Sequence, residues 1–400
     1  MNSKPKAKGV RHCMVVHNYY PYAETRVQRQ AQALVNAGHQ VDVICLRHGN
    51  EPKIDNVSGV LVHRVPLSHH KKGGVWVQLF DYLAFFVLAF FQLGRLHAVH
   101  RYHVVQVHNL PDFLVFAALI PKLMGSRIIL DLHDLMPEFY SAKFASPMSS
   151  LPVRLIRWQE QISCRFANHV ITVTEPWRQT LIERGVPADK CSVVMNVADP
   201  QYFYLDGATQ PAQDKHFRLV YHGTMARRYG IDLILRAVDQ VRKELPQIRL
   251  AMHGRGDYLE AVQALAKELD LSEWVQISSD FLPLEDLTDL IRSAHIGIVP
   301  YRRDVFTDGI LPTKLMEYAA LGIPAIVART PGIEAYFDDS MVAFFHAEDV
   351  NELADCIATL CRDRARLKEL TQNVQRFNQQ YNWAAQQAEY ANLVEQLAAH

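Results

Sequence analysis

The sequence predicts an α/β protein of two doubly wound, parallel-sheet domains facing a central cleft. Three observations carry that prediction. Short β-rich runs alternate with helical stretches, as strands and crossover helices do. The alternation occurs twice, with a polar interruption near the middle of the chain. Histidine-glycine or histidine-polar pairs follow several of the strand runs, at His17-Asn18, His108-Asn109, His133-Asp134, His222-Gly223 and His253-Gly254. Sheets of this kind bind ligands beyond the carboxyl ends of their strands.

In chain order, residues 13–17, 40–46, 60–65, 104–108, 128–133, 170–174 and 192–195 read as the strands of the first domain. Residues 217–222, 249–253, 275–278, 296–300, 325–328 and 342–345 read as those of the second. Helical stretches fall between them, at 25–37 in the first half and at 233–245 and 258–269 in the second. The first domain is expected over 1–200 and the second over 201–382. The hinge follows 196–200 and runs through the polar stretch 206–215. A last helix, within 383–400, is expected to pack back on the first domain.

The 400 residues are 49% hydrophobic, enough for two sizeable cores and too apolar for a disordered chain. Forty-two basic and 42 acidic side chains cancel, which argues against nucleic acid as a partner. The halves differ: residues 1–200 carry 22 basic and 14 acidic groups, and the rest carry 20 and 28. Two domains with different partners explain that asymmetry. The six cysteines form no C-x-x-C pair, and read as reduced thiols of a cytoplasmic protein. Lys4, Lys6, Lys8 and Arg11 precede only four apolar residues, too few for the core of a signal peptide.

The common cofactor patterns do not occur. Gly254-Arg255-Gly256 has Leu259 where a dinucleotide fingerprint needs its third glycine. There is no G-x-x-x-x-G-K-[S/T], H-E-x-x-H, D-x-D or G-x-S-x-G. A metal-free phosphate chemistry without a resident cofactor is expected. Residues 219–224 (LVYHGT) end a strand in the Gly223-Thr224 turn, and Arg227, Arg228, Gly230 and a helix follow. Glycine lets backbone approach a phosphate, a helix start offers N–H groups, and arginine binds phosphate in a fork. In 307–318 (TDGILPTKLMEY), Pro312 and Thr313 suit a helix start. Lys314 and Glu317 share one face of that helix. They either pair with each other or serve a diphosphate and sugar hydroxyls.

These segments, with 253–256 (HGRG) and 322–324 (GIP), resemble glycosyltransferase family 4. So do 38–43 (GHQVDV) and 131–138 (DLHDLMPE), the latter like the family's bacterial polysaccharide and lipid-glycan members. The resemblance runs over nearly the whole chain, and 311–324 is its most specific part. It implies the GT-B fold, retention of anomeric configuration, a nucleotide-diphosphate sugar bound by the second domain and an acceptor bound by the first. It gives the ribose to Glu317, the second glutamate of an E-x7-E signature. It gives the leaving diphosphate to Lys314 and one of Arg227 and Arg228, with Lys314 and Arg228 carrying the rate. His133 matches the family's histidine near the donor sugar. Gly223, Thr224, Gly254 and Leu311 complete the donor site. Gly309 stands where the first glutamate is expected, so Asp308 or backbone N–H groups are left to meet the sugar. Residues 23–26 (AETR) replace the family's glycine-rich loop.

Residues 75–94 are the most apolar stretch, with Phe80, Phe85, Phe86, Phe90 and Phe91. They approach the length of a bilayer span, but Gln78, Asp81 and Gln92 interrupt them. The stretch reads as a helix buried in the first domain or as an interfacial helix on anionic lipid. Lys71, Lys72, Arg95 and Arg101 edge it, and Arg154, Arg157 and Arg165 form a second basic group. The function implied is metal-independent, retaining hexosyl transfer to a lipid-linked glycan in surface-polysaccharide assembly. The location implied is cytoplasmic, peripheral on the inner face of the membrane. Two other readings share the fold: a nucleotide-sugar epimerase, and a non-catalytic nucleotide-sugar-binding protein motivated by Gly309.

Overall fold

The structure, a computed structural model, describes residues 9–22, 24–68, 75–205 and 215–399. Lys4, Lys6, Lys8, Ala23, Lys71, Lys72 and positions 206–214 of the expected hinge lie outside the described residues. The chain packs as two units, Met1–Met195 with Ala384–His400, and Asn196–Trp383. The division after Met195 precedes the boundary expected after residue 200.

Among the described residues the first unit holds eight strands: β1 (Arg11–Tyr19), β2 (Gln40–Leu46), β3 (Ile54–Val57), β4 (Val60–Val65), β5 (Val104–His108), β6 (Arg127–Leu132), β7 (His169–Thr172) and β8 (Cys191–Val193). Their order is β3-β4-β2-β1-β5-β6-β7-β8, and every pair is parallel except β3 with β4. Strand β3 has no counterpart among the expected strands, because Asp55 and Asn56 interrupt its apolar pattern. The two-residue turn at Ser58 (φ 51°) and Gly59 (φ 87°) folds it onto β4.

The chain steps one way from β1 to β2 and the other way from β4 to β5 and onward. Right-handed crossovers therefore put the helix Thr25–Asn36 on one face. They put Val75–His100, Asp112–Ala118 and Leu151–Phe166 on the other, where Asp112–Ala118 packs against both of its neighbours. The helix Trp383–Ala398 joins the Thr25–Asn36 face, with Tyr390 and Val394 in one core with Val27, Ala31 and Leu34. Its Tyr390 hydroxyl donates to Gln106 Oε1 at 2.6 Å, and Gln386 Oε1 accepts from the Met195 N–H at 2.7 Å.

The second unit is a six-stranded, wholly parallel sheet: β9 (Phe217–His222), β10 (Ile248–His253), β11 (Val275–Ser278), β12 (Ile296–Val299), β13 (Ala325–Ala328) and β14 (Ala343–Phe345). Its order is β11-β10-β9-β12-β13-β14. The helices Ile231–Val241 and Val350–Arg362 pack together over one face. Asp349 caps the latter by accepting from the Glu352 N–H at 3.0 Å. Gly297 in β12 positions the site: a Cβ there would lie 2.3 Å from the Tyr318 ring. Only glycine lets the helix Thr313–Ala320 lie this close to the sheet. All six cysteines are free thiols, and Cys356 alone is not fully buried.

Candidate active site

In the second unit, β9 ends at His222 and turns through Gly223 at φ 110°. The loop after β10 is fitted to this turn backbone against backbone. A Cβ on Gly254 would lie 1.8 Å from the Gly223 carbonyl oxygen, and one on Gly256 would lie 2.0 Å from that of Met225. Gly254, expected at the ligand, is thus required by packing. A Cβ on Gly223 would meet Lys314 Cε at 3.3 Å, so the lysine lies directly along the turn.

Lys314 is buried, and its Nζ donates to Tyr301 Oη at 3.1 Å. The same nitrogen lies 4.8, 5.1 and 4.9 Å from the ring centres of Tyr221, Tyr229 and Tyr301. Burial brings its pKa down to about 8, with the nearby Glu317 charge opposing that shift. Desolvating an ammonium is costly, and three ring faces offset only part of the cost. Glu317 is not its ion-pair partner: Glu317 Oε2 lies 2.6 Å from His222 Nε2. His222 Nδ1 is in turn 3.1 Å from the Tyr318 hydroxyl. Of the two arrangements the sequence leaves open, the pair is not formed, and both charges are held by other groups. Sequence reasoning missed the three tyrosines and the partnership of His222 with Glu317.

Gly230, at φ 64°, ends the short turn Arg227–Tyr229, and a Cβ there would lie 1.8 Å from the Pro300 carbonyl oxygen. Arg302 holds the turn. Its backbone N–H donates to the Arg228 carbonyl at 3.0 Å, and its Nη1 donates to that of Arg227 at 2.7 Å. Its guanidinium also binds Asp232 in a fork, at 2.8 and 2.8 Å. The Arg227 side chain is exposed, while that of Arg228 is half-buried, 5.6 Å from the Phe306 ring. Thr224 is exposed and its carbonyl accepts from the Tyr221 hydroxyl at 2.7 Å, while Leu311 is buried. Asp308 has a partner that the sequence does not show. Arg303 grips its carboxylate at 2.9 and 2.8 Å. Arg303 is more than half exposed, and such pairs are worth about 1 kcal/mol or less, so a sugar competes for Asp308 at small cost. Gly309 donates its N–H to the Phe306 carbonyl at 3.1 Å.

The first unit gathers a separate polar cluster at the carboxyl ends of β5 and β6. Asp131 is fully buried and accepts from Arg26 Nη2 at 2.9 Å, Gln30 Nε2 at 3.0 Å and Gln106 Nε2 at 3.0 Å. The Arg26 guanidinium and His108 hold its carboxyl well below the usual range, against the opposing effect of burial. His133 Nε2 lies 3.0 Å from His108 Nδ1, and the His133 N–H donates to Asn109 Oδ1 at 2.8 Å. Burial brings the His133 pKa down to about 3, so the ring is neutral near pH 7. Glu24 Oε2 faces its Nδ1 at 3.9 Å, and burial raises the Glu24 carboxyl. Ligand atoms of His108, Asp131 and His133 lie within 4.8 Å of one another. The Arg26 guanidinium already supplies the charge that a cation would bring there.

Beside this cluster lies an apolar cavity of about 240 Å³, walled by Tyr82, Pro111, Phe113, Phe139, Tyr140 and Ile156. The helix Val75–His100 forms one side of it. Its residues Val77–His100 are long and apolar enough to cross a membrane. Phe85, Ala89 and Leu93 are fully buried, whereas Phe80, Leu83, Val87 and Phe91 face outward. One stripe of this helix is thus buried in the first unit, and the other is exposed.

Comparison with known proteins matches residues 23–196 to the family described as "Glycosyl transferase 4-like domain". Residues 216–363 match "Glycosyl transferases group 1". One component of the human phosphatidylinositol N-acetylglucosaminyltransferase is 22% identical over 82% of this chain and 64% of its own length. A GDP-mannose-dependent alpha-(1-6)-phosphatidylinositol monomannoside mannosyltransferase of Mycolicibacterium smegmatis is 29% identical over 35% of this chain and 37% of its own. The chain thus spans less than two thirds of the length of these relatives. Sucrose-phosphate synthase of Thermosynechococcus elongatus superposes with a TM-score of 0.76 at 19% identity, covering 98% of this chain and 99% of that one.

Proposed function

This chain belongs to glycosyltransferase family 4, with two GT-B-type parallel-sheet domains, and we propose that it moves a sugar from a nucleotide diphosphate to a lipid-linked glycan. One observation carries the reading. A buried lysine lies along a glycine turn, and a carboxylate three residues on is oriented by a strand-end histidine. In this reading Lys314 and Arg228 neutralise the departing diphosphate, and Glu317 holds the ribose. Fixed cations of this kind supply about 3–4 kcal/mol each at a developing anion. The neutral His133 positions the sugar and acceptor from the first unit. The reaction proceeds without a metal and retains configuration, the leaving phosphate taking the acceptor proton.

The names of the two relatives, both acting on phosphatidylinositol-based molecules, support a lipid-linked acceptor. The likeness of 131–138 to bacterial polysaccharide members supports a role in surface-polysaccharide assembly. The exposed apolar stripe of Val75–His100 supports a peripheral contact with the inner face of the cytoplasmic membrane.

The test is binding of UDP, GDP and ADP in the presence of EDTA, read as a thermal shift, followed by transfer assays. Saturation near one hundred times Kd stabilises by about 2.7 kcal/mol. A selective shift with one diphosphate, lost in Glu317→Ala, is expected, as is transfer that EDTA leaves intact. Turnover restored only by magnesium overturns the metal-free mechanism. Conversion of the donor without acceptor indicates an epimerase, and binding without either reaction indicates a non-catalytic protein.

A further inference from the structure

The apolar cavity of the first unit has no part in the chemistry described so far. Its volume of about 240 Å³ is many times the roughly 10–15 Å³ that one water needs. Its walls are mostly rings and aliphatic carbons, which favour an apolar occupant over water. The polar groups of the lining residues are Gln78, Lys143, Gln159 and the hydroxyls of Tyr82 and Tyr140, and Lys143 is exposed.

Two features define what fits. First, the walls continue the loops of the histidine cluster. Pro111 and Phe113 follow Asn109, whose side chain holds the His133 N–H, and Met136 stands three residues beyond His133. Second, the helices around the cavity carry a one-sided surface. Phe80 is 69% exposed, Phe91 67% and Trp158 59%, and Leu151, Leu155 and Phe144 are exposed with them. On Val75–His100, Met136–Phe144 and Leu151–Phe166 the acidic residues are Asp81, Glu138 and Glu160, and all three are buried. Glu138 and Glu160 are consumed by Arg184. The basic residues of these helices, Arg95, Lys143, Arg154, Arg157 and Arg165, are exposed or half-exposed. Lys143 is the one basic residue in the lining, and an apolar cavity with an exposed cation at its edge matches a chain that ends in an anion.

We propose that this cavity binds the first segment of a lipid chain whose phosphate or diphosphate headgroup lies against Lys143. The proposal rests on the lipid-linked-acceptor reading and gives the chain its place beside His133. Lys143 serves charge, Ile156 and Phe139 serve shape, and none of the three takes part in donor binding.

Farnesyl diphosphate, a fifteen-carbon isoprenyl chain on a diphosphate, is the probe. It is titrated calorimetrically into the full chain with the donor site saturated by the preferred nucleoside diphosphate. Saturable binding is expected. Ile156→Trp, which fills the cavity, and Lys143→Glu should each weaken it about tenfold, or roughly 1.4 kcal/mol. Both variants should bind the nucleotide as before, which shows that they fold. Equal affinity in both variants, or displacement of the probe by inorganic pyrophosphate alone at equal concentration, overturns the proposal. So does the absence of saturable binding to the unaltered chain. Nucleotide binding without farnesyl binding removes the cavity from the reaction and leaves the donor reading. Farnesyl binding without nucleotide binding removes the donor reading and leaves the cavity.

Discussion

Lys314 lies buried among three tyrosine rings, bonded to one hydroxyl, with its pKa lowered to about 8. Among the described residues it forms no ion pair, and in the proposed function a diphosphate would supply the anion this charge lacks. Binding favours the protonated lysine and takes up a proton above pH 8. Affinity for the nucleoside diphosphate should therefore fall as pH rises from 7 to 9, by up to about tenfold per unit. Lys314→Ala should bind more weakly and show no such slope. Titration calorimetry at pH 7, 8 and 9 checks this, and a slope that survives the substitution would assign it to another group. Stability runs the other way. The unfolded lysine keeps its proton to about pH 10.4, so between 8 and 10.4 the unfolded state binds more protons. The fold gains from a rise in pH over the range where nucleotide affinity declines.

At the scale of elements, the site depends on how the helix Thr313–Ala320 lies against β12. Gly297 has no side chain to hold Tyr318 away, and Tyr318 in turn meets His222, which orients Glu317. Gly297→Ala forces its new methyl into that ring. It should cost about 1–3 kcal/mol of stability, as overpacking does. It should also weaken nucleotide binding more than Lys143→Glu does. Chemical denaturation and calorimetry read the two effects, and a variant with lower stability but unchanged affinity would uncouple Tyr318 from the donor site. The strands themselves were legible, since buried parallel strands leave β-branched runs bounded by polar turns. Strand β3 was not, because its turn and not its apolar content holds it in place. The cation and the carboxylate were visible as Lys314 and Glu317 at helical spacing. The tyrosines were not, because Tyr221, Tyr229 and Tyr301 come from a strand, a turn and a distant loop that converge only in three dimensions. The pair of Arg303 with Asp308 was not legible either, because nothing in the sequence shows Arg303 folding back on that loop.

For the whole molecule, charge and apolar surface divide along the chain. Residues 1–200 are net basic and 201–400 net acidic by eight charges each. The helix Val75–His100 cannot span a bilayer while Phe85, Ala89 and Leu93 stay sealed in the first unit. It can lie along one, with Phe80, Leu83, Val87 and Phe91 among the lipids. Each basic residue near an anionic surface adds about 1 kcal/mol, and salt screens that part alone. The chain should therefore float with vesicles of phosphatidylcholine containing about one third phosphatidylglycerol, and much less with phosphatidylcholine alone. Raising salt to about 1 M, where the screening length is roughly 3 Å, should remove most of that preference. Phe80→Ser with Phe91→Ser should lower binding to both kinds of vesicle, because burial of the rings is not a charge effect. Equal flotation on neutral and anionic vesicles at low salt would deny the basic residues any part. Flotation unchanged by the double substitution would place the membrane contact elsewhere than on this helix.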